Sequence, residues 1–140
     1  MKAQPPDGPS HSMNKRVQSW IDGVNDALEM ADSSFASGKF LWAVFFCHLA
    51  VEKMLKAVVL NRTGEVAPKT HNLMHLLKLG QLSPPKEALD FLGQLNTFSV
   101  PTRYPDELPG IEEMFDRKKT SDVLEKTRNA LEWIRESSRL

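Results

Sequence analysis

Apolar residues at Val17, Trp20, Ile21, Val24, Ala27, Leu28, Ala31 and Phe35 recur at steps of three and four, which predicts a first amphipathic helix over about residues 14–36. Lys15, Arg16, Asp22, Asp26 and Glu29 fall on its opposite face, and Gly38 is placed to end it in a left-handed cap. The next helix, over about residues 39–62, has no polar face in its first half: Phe40, Leu41, Trp42, Val44, Phe45, Phe46 and Leu49 surround the axis. One bundle does not easily bury every side of such a helix. Phe40, Phe45, Phe46 and Leu49 are therefore expected in a homodimer interface.

Thr63 to Lys69 forms a loop, after which Thr70 is expected to cap a short helix bearing Leu73, Leu76 and Leu77, with His71 in its first turn and Gly80 at its end. Ser83, Pro84 and Pro85 restart a helix lined by Leu89, Leu92, Leu95 and Phe98. Pro101, Pro105, Pro109 and Gly110 then forbid regular helix, and the last helix is expected to start near Thr120 or Ser121. No strand pattern and no repeat is found. The fold class is all-α, a four- to five-helix antiparallel up-and-down bundle, in a single domain over residues 14–140 behind a disordered tail over residues 1–13. Met13 is a candidate start beside Met1, and the sequence leaves the two open.

At 140 residues, 41% of them hydrophobic, the chain is long enough for one real core. Lys plus Arg and Asp plus Glu number 18 each, a formal net charge of zero that argues against sequence-independent binding of duplex DNA. The stretch 40–60 is long enough to cross a bilayer, but His48, Glu52, Lys53 and Lys56 interrupt it, so no membrane association is expected and the cytoplasm is the expected compartment. Cys47, the one cysteine, sits inside the apolar helix as an inert thiol.

Three ordered pieces narrow the picture: Ala50-x-Glu52-Lys53-x-Leu55-Lys56-Ala57, Thr70-His71-x-Leu73 and Arg103-Tyr104-Pro105-Asp106. Together they resemble the HEPN domain family of small helical bundles. The resemblance implies a homodimer and a frequent role beside a minimal nucleotidyltransferase in a two-component, often toxin-antitoxin, system. Many members are metal-independent ribonucleases using an Arg followed a few residues later by His. This chain departs from that pattern, because no His follows Arg103 and eight residues separate Arg62 from His71.

If the first three helices alternate in direction, Lys53, Lys56, His71, Arg103, Tyr104 and Asp106 converge with Glu52 near the C-terminal end of the second helix. Lys and Arg suit a phosphate, Tyr can stack on a base, and His moves protons near neutral pH. This set makes a candidate nucleotide or RNA site, with His71 and Arg103 the catalytic candidates should the chain cleave RNA. The competing use is structural, with Thr70 and His71 capping a helix and Arg103 paired to Asp106. His71 and His75 lack a third metal ligand, so no metal or other cofactor is expected. His48 is expected to be a satisfied core or interface histidine, and Trp20, Trp42 and Trp133 to pack in the core. A binding module with a nucleotidyltransferase as candidate partner, a degenerate ribonuclease and a pure scaffold are the three functions left open.

Overall fold

In a computed structural model that describes residues 11–140, Gly38 takes a positive φ of 73° and closes the first helix, α1 (His11–Ala36). Its N–H donates to Phe35 O at 3.0 Å and the Lys39 N–H reaches Ser34 O at 2.8 Å, the paired bonds of a Schellman cap. The turn is short, so α2 (Phe40–Thr63) returns antiparallel along α1. Helix α1 begins at His11, ahead of the expected residue 14; residues 1–10 of the expected tail lie outside the described residues.

Four further helices follow: α3 (Leu73–Leu79), α4 (Lys86–Thr97), α5 (Ser99–Arg103) and α6 (Arg117–Ser138), with single 3-10 turns at Pro105–Glu107 and Glu112–Met114. No strand occurs among the described residues. The long helices α1, α2, α4 and α6 form an up-and-down bundle. At one end Arg117, opening α6, lies over the rings of Phe35 and Phe40, and Phe98 meets Phe115 edge-on. At the other end Arg62 donates to Gly80 O, Gln81 O and Ser137 O at 2.9, 2.9 and 3.1 Å. That guanidinium ties the ends of α2, α3 and α6 together through carbonyls that helix geometry leaves without partners.

Helix α2 is the central element. Val44, Val51, Leu55 and Val58 are fully buried and belong to one core with Leu73 and Leu76 of α3, Leu92 and Leu95 of α4, and Ile134 of α6. A smaller cluster of Val17, Ile21, Ala57 and Leu60 closes the end where α1 starts. Among the described residues no helix is long and apolar enough to cross a membrane.

Three local expectations are corrected. Asn72 rather than Thr70 caps α3, its side chain accepting from the His75 N–H at 3.2 Å, so His71 lies ahead of the helix and not in its first turn. Helix α6 starts at Arg117, because Asp116 accepts from the Lys119 N–H at 2.8 Å and caps it before Thr120 is reached. Pro101 sits inside α5, where first-turn N–H groups have no intrahelical partner to lose. The segment 64–72, not α3, makes the return along α2: α3 runs from beside Glu52 back to Arg62. His71 consequently meets α2 about halfway along, not at its C-terminal end.

Candidate functional site

Glu52 is the focus of the site. It projects from the middle of α2 into the bundle and is only 4% exposed. A carboxylate taken from water needs donors around it, and three separate segments supply them. Lys56, one turn on, donates to Oε2 at 3.1 Å; His71 Nδ1 meets Oε1 at 2.8 Å; Arg103 Nη2 stands 3.5 Å from the same oxygen. A carboxylate accepts and does not donate, so His71 carries its proton on Nδ1. The 3.5 Å approach of Arg103 Nη2 to that nitrogen is thus proximity rather than a bond.

Each partner is held locally. Thr70 Oγ1 accepts the Asn72 N–H at 3.1 Å, and Asn96 of α4 accepts the Leu73 N–H at 2.7 Å, fixing the backbone on either side of the His71–Asn72 turn. Arg103, the last residue of α5, turns back on Ser99, donating to its carbonyl at 3.0 Å and approaching its hydroxyl at 3.3 Å. The guanidinium also lies 4.9 Å from the centre of the Phe45 ring. Lys53 and Lys56 approach the Trp20 ring at 5.4 and 5.7 Å. Lys53 reaches it across Gly23, where a Cβ would stand 2.9 Å from the lysine Cδ.

The result is one buried carboxylate beneath a surplus of cationic donors. His71 is half exposed, with its side chain at 56%, and with Nδ1 committed to Glu52 its Nε2 is the ring nitrogen left for a ligand. His48, one turn before Glu52, is the counterexample to its expected satisfied state. It is fully buried, neither ring nitrogen has a hydrogen-bond partner, and Glu52 Oε1 is 3.8 Å away. Burial first, and the charge of Arg103 second, push its pKa down to about 4. Burial pushes the Cys47 thiol up to about 11, which makes it a poor nucleophile.

A family model described as HEPN domain matches residues 17–137. The chain belongs to the HEPN domain family. Two solved structures are similar to this HEPN chain across nearly their whole length. TT1696 from Thermus thermophilus is 28% identical, with a TM-score of 0.75, covering 86% of this chain and 97% of its own. ST0689, an archaeal HEPN homologue, is 24% identical with a TM-score of 0.68, covering 87% and 97%, and shows the fold alone. No curated protein matches the chain.

Of the site residues expected in this HEPN chain, Lys56, His71 and Arg103 are brought together around Glu52, and Lys53 stands beside them on Trp20. Tyr104 lies instead at the rim of a neighbouring cavity of about 640 Å³. Asp106 is exposed, and Arg103 pairs with Glu52 rather than with it. Among the described residues no group of three His, Cys, Asp or Glu side chains is arranged to hold a metal ion. Phe40, Phe45, Phe46 and Leu49 are each half-buried, with Phe40 packed on Phe35 and Phe45 on Phe46. Sequence reasoning missed Ser99, Asn72 and Asn96, which hold the site in place. It also missed Trp42, which is 57% exposed and lines the 640 Å³ cavity instead of packing in the core.

Proposed function

We propose that this HEPN protein is a nucleotide- or RNA-binding module whose phosphate site is the cationic surround of Glu52, formed by Lys53, Lys56, His71 and Arg103. The observation that carries the reading is the buried Glu52 carboxylate gathering Lys56, His71 and Arg103 from three segments at one place. Lys56, Arg103 and Lys53 leave positive charge in excess of the one carboxylate, and a phosphate satisfies that excess without displacing Glu52. The half-exposed Phe46 and Leu49 support a homodimer as the assembly. Light scattering that finds only monomer at micromolar concentration would refute that part. HEPN membership supports a nucleotidyltransferase-fold protein as partner in a two-component system, checked by co-purification with the product of a neighbouring nucleotidyltransferase gene.

A second reading, metal-independent RNA cleavage, is favoured by one contact. The 2.8 Å bond from His71 Nδ1 to Glu52 orients the ring and leaves Nε2 as the nitrogen for proton transfer, with the Arg103 guanidinium alongside for charge developing on phosphorus. One experiment separates the two. A labelled nucleotide and RNA panel is titrated into wild type, Arg103→Ala and His71→Ala, with cleavage followed in the same tubes. Loss of binding by at least tenfold in both variants is expected. Unchanged affinity in Arg103→Ala would end the phosphate-site reading, and cleavage abolished by His71→Ala would promote the second.

A further inference from the structure

We infer that the cavity between Trp42 and Tyr104 takes an unpaired nucleobase, so that the ligand is a single-stranded RNA segment of two or more nucleotides and not a mononucleotide; this rests on the phosphate-site reading above. Two large planar side chains stand at this cavity with most of their surface in water, Trp42 at 57% and Tyr104 at 62% exposed. Phe45 lies edge-on to Trp42 with ring centres 5.7 Å apart and forms part of the wall. Stacking between aromatic side chains is how proteins hold unpaired bases, because every base offers a π face. The cavity volume of about 640 Å³ accommodates a purine with room to spare.

Charge joins this cavity to the Glu52 cluster. Arg103 lines the cavity, covers the Phe45 ring and approaches Glu52, so a strand leaving the cavity meets its guanidinium next. Lys39 adds a second cation to the cavity wall, against the single carboxylate of Glu112. The spacing selects the length of the ligand. Trp42 and Glu52 are ten residues apart on one helix, about 15 Å along its axis at about 1.5 Å per residue. A mononucleotide with its base on Trp42 reaches Arg103 at the cavity wall, whereas a strand of two or more nucleotides also reaches Lys53 and Lys56, which stand at Trp20 beside Glu52.

The test is a titration of the full chain with fluorescently labelled adenosine monophosphate and RNAs of two, three and six nucleotides. Wild type is compared with Trp42→Ala, Trp42→Phe and Arg103→Ala, each checked for helicity and oligomeric state. Affinity is expected to rise at least tenfold between the mononucleotide and the trinucleotide. Trp42→Ala should lose about 5- to 150-fold of the trinucleotide affinity, the range that one base–aromatic stack spans, while Trp42→Phe keeps most of it. Equal affinity for mononucleotide and trinucleotide, or wild-type RNA affinity in Trp42→Ala, would overturn the inference. So would a dimer that Trp42→Ala converts to monomer with RNA affinity intact, since the face would then belong to a second copy. Loss in Arg103→Ala without loss in Trp42→Ala would remove the base site and spare the phosphate site; binding indifferent to Arg103→Ala would remove the phosphate site itself.

Discussion

Between Phe40 and Leu49, α2 carries four aromatic residues, none of them fully buried, and Trp42 is mostly in water. Between Ala50 and Leu60 the same helix carries Glu52 and Lys56, and both are buried. Between these two sets of side chains exposure therefore runs against hydropathy. The cause lies in the neighbours: α1 and α6 reach both halves, with Phe35 and Arg117 at Phe40, and the Thr70–Asn72 turn brings His71 onto Glu52 in the second half, whereas the side of the first half that carries Trp42 opens on the cavity. A charged group stays inside where partners have been delivered to it, and an aromatic one stays outside where nothing has been delivered to cover it.

The contrast breaks most readily at Glu52. Glu52→Ala strands Lys56 and Arg103 without their carboxylate, and the expected loss is about 3–5 kcal/mol in urea unfolding, a large share of a domain's usual stability. Replacing both members of the pair, Glu52→Leu with Lys56→Met, should recover part of that loss yet not the proposed RNA affinity. That outcome would show the charges to be kept for the ligand rather than for the fold. A double variant as unstable as Glu52→Ala would show the reverse.

His48 sharpens the comparison through pH. Its folded pKa of about 4 lies below the ordinary 6.5, so both states are neutral above pH 6.5. As pH falls from there towards 4 the unfolded chain takes up a proton that the folded one refuses, and stability is lost, by about 3 kcal/mol at the end of that window. Below pH 4 this residue contributes no further change. The charged and titratable groups that face it are Glu52, Arg103 and His71, and Glu52 opposes the shift. His48→Phe should flatten the decline of the urea midpoint between pH 6.5 and 4 relative to wild type; parallel curves would mean that the ring is solvated. The smallest effect is expected at the other half of the helix, where Trp42→Ala should cost less than about 1 kcal/mol despite deleting the largest side chain type. A loss of about 3 kcal/mol or more would show that Trp42 is covered in solution.

Much of the bundle was legible because helix periodicity and Gly38 are local signals: eight apolar positions of α1 share one face whatever surrounds them, and the left-handed cap forms where the glycine stands. The site was legible in part. Glu52, Lys56, His71 and Arg103 could be picked out by type, but their meeting point was expected near the end of α2, since an alternating third helix would have carried His71 there. The return is made by the loop, because the Asn72 cap and its contact with Asn96 start α3 beside the middle of α2. Both asparagines are common polar residues with no sequence signal that pairs them across 24 positions.

What the chain determines by itself is its helices, their polar and apolar faces, and its family, since these depend on residues a few positions apart or on ordered motifs along it. What the tertiary structure decides is which of those faces meets water. Trp42 was expected in the core and Glu52 could have stood at the surface, and packing reverses both. Burial depends on how many segments arrive at a residue from elsewhere in the chain, a quantity that no stretch of the chain contains.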